Sequence, residues 1–427
     1  MRLIGTSLLA AGALTSLALG AAAQAPPQST PRPPALPSEL VAKLARLRDA
    51  ALISDYAWRQ VAHLTENIGP RLAGSRQAEA AVRYVADELG QLGLEVRLQD
   101  VMVPHWVRGE EKAELTVFPG QAAGTIQKIV LTALGNSTST PDGGLTRDVV
   151  VVNDFDELTI LGRDRIAGRI VLFNEKFDKR MAEAGRAGAA YGQAVTYRGR
   201  GPREASMLGA AAVLVRSVGG ADYRLPHTGA GAAAGIPSAA VTAEDAELLA
   251  HLTQQGRVVM HLVLTPKSLP DAMSHNVIAD LEGSEHPEQI VIVSGHLDSW
   301  DLGTGAIDDA AGVAIAMQAV QLCKQLGLTP RRTLRVVAWM NEENGGSGSR
   351  KYVTEFEVRW QIMSGPSKAT SVPGIRSDLP AHTVHRPGLI LRKSQACSHR
   401  SARRSSTPVS PGQMLVKWGG AACPYSA

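Results

Sequence analysis

The chain has 427 residues, with 44 Lys and Arg against 40 Asp and Glu, so its formal net charge is +4. Its 44% hydrophobic and 20% charged residues are ordinary for a globular protein and exclude a wholly disordered chain. The net excess of positive charge lies in residues 360–427, which hold nine basic residues and one acid (+8). The remainder of the chain therefore carries a net charge of −4. This distribution excludes a basic body that binds nucleic acid, and the basic end has no nucleic-acid-binding motif or interleaved aromatic residues.

The first 25 residues predict an export signal. Arg2 precedes an uncharged, mostly apolar run, and the small residues at 21–25 offer an A-x-A cleavage site. We therefore expect a secreted or periplasmic protein. An uncleaved membrane anchor is the alternative, which the shortness of the run disfavours. Residues 26–37 contain six prolines and predict an extended linker. The sequence after them has no run of 18 consecutive apolar residues, so we expect no stable membrane span there.

Between the linker and residue 271 the predicted elements change in character. The first are amphipathic helices and a strand, whereas residues 111–271 show short β-rich runs separated by Gly and Ala, which predict a separate β-rich domain. The glycines at 229–235 lack the spacing of a dinucleotide-binding loop and predict an ordinary loop. The predicted elements are helices at 38–49 (capped by Ser38) and 76–92 and strands at 95–103, 129–131, 149–152, 170–173 and 211–215.

From residue 272 the pattern becomes strand, helix, strand. A β-branched run at 289–294, a helical stretch at 309–326 and a second apolar run at 333–340 predict two parallel strands joined by a crossover helix. The fold class is therefore α/β. The only cysteine before residue 360 is Cys323, so any metal in this part must be held by histidine and carboxylates.

Ionisable residues follow each element of this strand–helix–strand unit. His296 and Asp298 come after the first strand, Asp308 precedes the helix, and Glu342 and Glu343 come after the second strand. Because the carboxyl ends of parallel strands share one edge of a sheet, these side chains are expected to converge. One histidine with several carboxylates favours a divalent metal, zinc first, with one glutamate as a ligand and the other as a general base. The alternative is a set of solvated loop acids.

Several motifs make the sequence similar to the carboxypeptidase Q group of co-catalytic dizinc peptidases. The resemblance covers roughly residues 55–352. It implies an aminopeptidase-like parallel or mixed sheet with flanking helices, interrupted by a β-rich protease-associated domain, and a homodimer. It also implies two zinc ions per subunit and small peptides, often dipeptides, as substrates. The motifs lie at residues 68–75, 104–111, 216–218, 226–229, 294–303, 305–309 and 341–346.

The resemblance also assigns roles to the converging residues. His296 resembles a ligand of one zinc, Asp308 the bridging carboxylate, and Glu343 a ligand of the other zinc. Glu342 resembles the general base, and Asp298 the acid that orients His296. The expected function is a zinc-dependent exopeptidase that cleaves small peptides through a metal-activated water.

The sequence departs from this family pattern near residue 360. The family has a further Asp and a distal His as ligands, but hydrophobic periodicity is lost here and no residue has the expected context. We hypothesise that 360–427 is an atypical basic tail, frame-shifted or otherwise foreign to the fold, after peptidase segments at 38–110 and 272–359. A catalytically inactive or truncated member, acting at most as a binding protein, is therefore the alternative function. The residues that could replace the missing ligands, each expected to be merely exposed, are Asp378, His382, His385 and His399.

Overall fold

The computed structural model describes residues 36–221 and 223–356, together with the backbone of residues 359–361 and 390–392. Several predictions fall outside these residues: the export signal, nearly all of the linker, and the candidate ligands Asp378, His382, His385 and His399.

The described chain begins with helices, continues with five strands and then mixes helices and strands. The helices are α1 (Ser38–Ile53), α2 (Tyr56–Ala62), α3 (Arg76–Gln91), α4 (Phe155–Ile166), α5 (Lys179–Met181), α6 (Ala187–Met207), α7 (Ala243–Gln255), α8 (Ala311–Gln325) and α9 (Ser347–Glu355), with π-helical turns at His63–Ile68, Ala182–Arg186 and Ala306–Ala310. The strands are β1 (Glu95–Val107), β2 (Glu111–Val117), β3 (Gln127–Ile129), β4 (Leu131–Ala133), β5 (Leu145–Val152), β6 (Ile170–Phe173), β7 (Ala212–Arg216), β8 (Ser238–Val241), β9 (Val259–Leu264), β10 (Lys267–Leu281), β11 (His286–His296), β12 (Arg332–Trp339), β13 (Arg359–Gln361) and β14 (Ile390–Arg392).

The first sheet has the strand order β1-β10-β12-β11-β14-β13. Strands β11 and β12 are parallel and joined through α8, which confirms the predicted strand–helix–strand unit. The other neighbouring pairs are antiparallel, so the sheet is mixed and the α/β class is confirmed. Apolar side chains of α2, α3 and α8 cover one face of this sheet, and α9 packs against the other.

Helix α8 is part of this core. With its preceding turn it forms the run Ala306–Gln325, which is long and apolar enough to cross a membrane, although half of its most apolar window is buried inside the protein. Its buried face includes Val313, Met317 and Val320, as the helical spacing predicts. The packing of this helix against the first sheet accounts for its apolar character.

The second sheet lies wholly between residues 111 and 264, in the order β3-β2-β9-β5-β6-β7-β8-β4. Strands β5 to β8 are parallel, and α4, α6 and α7 belong to the same region. These helices are absent from the sequence-based prediction. In α6 the pattern is obscured by interior glycines and by Pro202, which are unusual inside helices. The domain boundaries, and the identity of this region as a protease-associated domain, stay predictions.

Two local predictions are wrong. Ser38 does not cap α1 but is its first helical residue, and no side chain of α1 is buried, so its apolar spacing does not mark a core face. The run 129–131 does not form one strand but divides into β3 and β4. Val130 separates them because its backbone N–H donates to the carboxylate of Asp245, at 2.6 Å, instead of to a neighbouring strand.

Candidate metal centre

His296 ends β11 with its side chain only 2% exposed. Its Nδ1 lies 2.9 Å from the carbonyl oxygen of Asp298. Because a carbonyl oxygen can only accept, Nδ1 carries the proton and Nε2 points toward the cluster of acids. Burial alone lowers the pKa of His296, but the carboxylates of Asp298 and Asp308 outweigh it and hold that pKa well above its ordinary value.

Asp308 and Asp309 lie in the turn before α8 and have different environments. The Asp308 side chain is 63% exposed, and its Oδ1 lies 2.8 Å from His296 Nε2. Asp309 is buried and accepts hydrogen bonds from the backbone N–H groups of His296 and Gly312, at 3.0 and 3.1 Å. Burial raises the pKa of Asp309 to about 6. Asp309 thus joins β11 to α8, while Asp308 faces the cluster.

Glu342 and Glu343 follow β12 and are placed by Asp298. The Asp298 carboxylate is fully buried and accepts the backbone N–H groups of both glutamates, at 3.0 and 3.1 Å. One oxygen of the Glu342 carboxylate lies 3.9 Å from His296 Nε2. Ligand atoms of His296, Asp308 and Glu343 lie within 4.8 Å of one another. The structure therefore brings all five predicted site residues together at one end of β11 and β12.

The part played by Asp298 differs from the sequence-based expectation. Its carboxylate was expected to orient the imidazole, yet its nearer oxygen is 3.7 Å from His296 Nδ1, and the carbonyl of the same residue makes the contact instead. The carboxylate instead fixes the glutamate turn. Asp298 holds two neighbouring segments at once, one through its carbonyl oxygen and one through its carboxylate. A sequence pattern identifies the residue but not which of these two groups makes each contact.

This donor set suits a divalent metal. One imidazole nitrogen and two carboxylates are ligands that zinc accepts, and the buried carbonyl behind His296 fixes the tautomer that a ligand histidine requires. His296, Asp308 and Glu343 are the described residues that would hold the ion.

Arg71 fixes the segment after β11, residues 297–305, from one side. Its side chain is completely buried, and burial lowers its pKa to about 10 although Asp298 and Asp309 oppose that shift. Every hydrogen bond of its guanidinium goes to a backbone carbonyl. The acceptors, at 2.7–3.1 Å, are the oxygens of Leu64, Gly69, Leu297, Thr304 and Gly305. The arginine thus joins the turn before α3 to the segment that carries Asp298.

Arg108 fixes the same segment from the other side. It lies between β1 and β2 and holds Asp301 in a bidentate pair, with both N···O distances 2.8 Å. It also donates to Glu111 and Thr132 of the second sheet. Beside this pair, Trp300 packs on the apolar core of the second sheet. The metal-site segment therefore lies between the two sheets and contacts both.

Sequence reasoning missed the contributions of Asp309, Arg71 and Arg108. The carboxylate of Asp309 accepts the backbone N–H of Gly312 at the start of α8, as a helix-capping residue does. An aspartate just before a predicted helix is a sequence signal for such a cap. Arg71 and Arg108 lie in motifs noted for their resemblance, but their partners in the metal-site segment are more than 190 residues away in sequence. No local pattern could have supplied those contacts.

The comparisons of this chain with known proteins, by sequence and by structure, agree with one another. The model for "Peptidase family M28" matches residues 276–365, which contain all five site residues. Carboxypeptidase Q of Bos taurus is 43% identical over 302 residues, covering 69% of this chain and 60% of the bovine protein. Carboxypeptidase Q of Mus musculus is 40% identical over 335 residues, covering 75% of this chain and 67% of the mouse protein.

A solved structure agrees with these relatives. The crystal structure of a peptidase M28 precursor from Shewanella amazonensis SB2B superposes with a TM-score of 0.68 at 35% identity, covering 75% of this chain and 71% of that one. The chain spans 60% of the length of the bovine relative. Identity of this level over two thirds of the mouse protein, with the fold shared, decides the family. The chain belongs to peptidase family M28, in its carboxypeptidase Q group.

Proposed function

We propose that this protein is a zinc-dependent exopeptidase that hydrolyses small peptides, dipeptides among them. The observation that carries the proposal is the convergence of His296, Asp308 and Glu343 within 4.8 Å, with Glu342 beside them. The names of the carboxypeptidase Q relatives point to the same reaction class.

The proposed mechanism gives each residue one task. When bound, zinc supplies a Lewis acid that polarises a carbonyl and acidifies water. Glu342 takes a proton from the attacking water and delivers it to the leaving amine. Asp298 keeps Glu342 in reach by accepting its backbone N–H at 3.0 Å, and its carbonyl oxygen holds the His296 ring.

Further parts of the proposal rest on the resemblance and on the sequence. Two zinc ions per subunit need ligands beyond His296, Asp308 and Glu343. The candidates are the one acid and three histidines after residue 360, Asp378, His382, His385 and His399. A homodimer and a secreted or periplasmic location complete the proposal.

Purified full-length protein tests it through zinc content and dipeptide hydrolysis, before and after chelation and zinc addition. We expect zinc-dependent turnover that Glu342→Ala lowers by at least a hundredfold, because a general base contributes about 10²–10⁴-fold. Glu288→Ala, the same change at an exposed position near the other end of β11, serves as the control and should match the wild type.

The outcomes separate the alternatives. Bound zinc without turnover would favour the inactive binding protein over the enzyme. Equal turnover in wild type and Glu342→Ala would overturn the general-base assignment while leaving a metallopeptidase.

A further inference from the structure

The loop at residues 226–229 is noted in the sequence for its resemblance but has no place in the proposed mechanism. It belongs to the second-sheet region, between β7 and β8. Its histidine, His227, is exposed.

One contact ties this loop to the metal-site segment. The hydroxyl of Thr228 accepts a hydrogen bond from Arg108 Nη2 at 3.4 Å, and the same guanidinium nitrogen contacts Asp301 at 2.8 Å. Asp301 is only three residues beyond Asp298. The loop therefore shares one arginine with the segment that positions the metal ligands.

Other contacts hold His227 in place from behind. Its backbone N–H donates to the hydroxyl of Ser217 at 2.9 Å, and its ring lies 5.8 Å, centroid to centroid, from that of Tyr191. A Cβ atom at Gly219 would lie 2.9 Å from His227 Nδ1, so only glycine leaves the ring its present position. The backbone of His227 is fixed, while its ring has no hydrogen-bond partner among the residues that the structure describes.

A positive charge lies beside the ring. Arg198 of α6 donates to the carbonyl oxygen of Thr228 at 2.8 Å and to the hydroxyl of Tyr191 at 3.2 Å, both of them neutral partners. Its Nε is buried without a partner within the described part of the chain. No described carboxylate pairs with this guanidinium, so the surroundings of His227 favour an anion.

The ring also lies within electrostatic reach of the metal cluster. Partial desolvation of the ring by its neighbours and the Arg198 charge lower the pKa of His227, while the negative charge of Asp308 acts on it in the opposite direction. The free carboxylate of a peptide follows the scissile carbonyl by one residue, about 4 Å of chain. The contacts Thr228–Arg108–Asp301 keep this loop beside the metal-site segment, so a terminal carboxylate at that distance from the scissile carbonyl is the substrate group that the loop would meet.

We infer that His227 binds the terminal carboxylate of the peptide substrate through its ring N–H, in the positive field of Arg198. This inference rests on the proposed function for the position of the scissile bond and deepens it, because it makes the free C-terminus the recognised group. The second-sheet region thus supplies a substrate contact to a reaction carried by the first sheet.

Two peptides that differ only at the C-terminus test this inference on the zinc-loaded, full-length protein: Leu-Ala and Leu-Ala amide. We expect the wild type to prefer the free carboxylate. His227→Ala should raise KM for Leu-Ala by about ten- to a hundredfold, the range of a hydrogen bond to a charged group, and leave kcat/KM for the amide within about twofold. His227→Gln, which keeps an N–H donor, should recover part of the preference. His251→Ala, at an exposed histidine of α7, is the matched control.

Two results would overturn the inference: unchanged discrimination in His227→Ala, or an equal loss of kcat for both peptides, which would place the ring at the scissile carbonyl. If the wild type hydrolyses neither peptide, the proposed function fails separately. The two peptides then serve as equilibrium ligands in calorimetry. Tighter binding of Leu-Ala than of its amide, lost in His227→Ala, would still support the carboxylate contact, and equal binding of the two peptides would overturn it.

Discussion

Arg71 is a cation that the fold buries completely and surrounds with carbonyl oxygens. Burying a charge is costly unless the charged group makes all the hydrogen bonds it can. Arginine satisfies that condition here because its planar fork offers five N–H donors in fixed directions, whereas a lysine ammonium offers three from one point. The stabilising role of Arg71 therefore depends on the shape of its guanidinium as much as on its charge.

Replacement of this side chain by Arg71→Lys should lower the free energy of unfolding by about 2–4 kcal/mol, because several buried carbonyl oxygens lose their donor. Chemical denaturation of the two proteins measures the difference. Arg76→Lys, at an exposed arginine that begins α3, should change it by less than about 0.5 kcal/mol. Equal stability of Arg71→Lys and the wild type would show that a positive charge alone suffices.

Among the secondary-structure elements, β11 and α8 approach unusually closely next to the metal centre. A Cβ at Gly295 would lie 2.4 Å from the backbone nitrogen of Val313 and 2.5 Å from the carbonyl carbon of Gly312. The residue after Gly295 is His296, whose N–H is held by Asp309 at the start of the same helix. The spacing of strand and helix therefore sets the position of the histidine.

Gly295→Ala should force the strand and helix apart, lowering the free energy of unfolding by about 1–3 kcal/mol, the usual cost of overpacking. Because His296 moves with the strand, zinc affinity should fall as well, measured by competition with a chromophoric chelator. Gly303→Ala adds the same methyl group where no atom lies within 4 Å and should leave both quantities near their wild-type values. A zinc affinity that is equal in the two variants would contradict the proposed coupling.

At the scale of the whole molecule, the metal-site segment is held between two sheets. Arg108 is 10% exposed and Asp301 23%, and Arg108 also serves Glu111 and Thr132 of the second sheet. Removal of one partner from a largely buried pair leaves the other charge unpaired, which is more costly than removal of both. The second-sheet region is thus a structural part of the site and not merely a neighbour.

A double-mutant cycle with Arg108→Ala and Asp301→Ala measures this connection. We expect Arg108→Ala to lower the free energy of unfolding by about 3–5 kcal/mol. Asp301→Ala should lower it by less, because only the loss of Arg108 also leaves Glu111 and Thr132 without their donor. The coupling energy between the two positions should be about 1–3 kcal/mol by denaturation. Additive effects would mean that Asp301 is held by other contacts.

Prediction from sequence succeeded where the signal is local. The helix at Arg76–Gln91 and the strand–helix–strand unit follow from apolar spacing, and glycine follows each helix closely, as in α3 and α8. Prediction failed for α6, whose glycines and Pro202 hide the helical pattern, and for α1, whose apolar spacing faces no core. Periodicity reports which residues could share a face but not whether another element covers it.

The sequence by itself determined the family, the α/β class and the five residues of the candidate centre, because strand-end positions and residue types are both legible along the chain. Only the tertiary structure decided which group of Asp298 touches His296, that Asp309 joins β11 to α8, and that Arg71 and Arg108 hold the segment that carries Asp298. For the two aspartates the physical reason is the path of the backbone beyond β11, which residue types alone do not specify, and for the two arginines it is distance along the chain. Hydrogen bonds and ion pairs between residues more than 190 positions apart depend on how the two sheets meet, and no local pattern of residues encodes that arrangement.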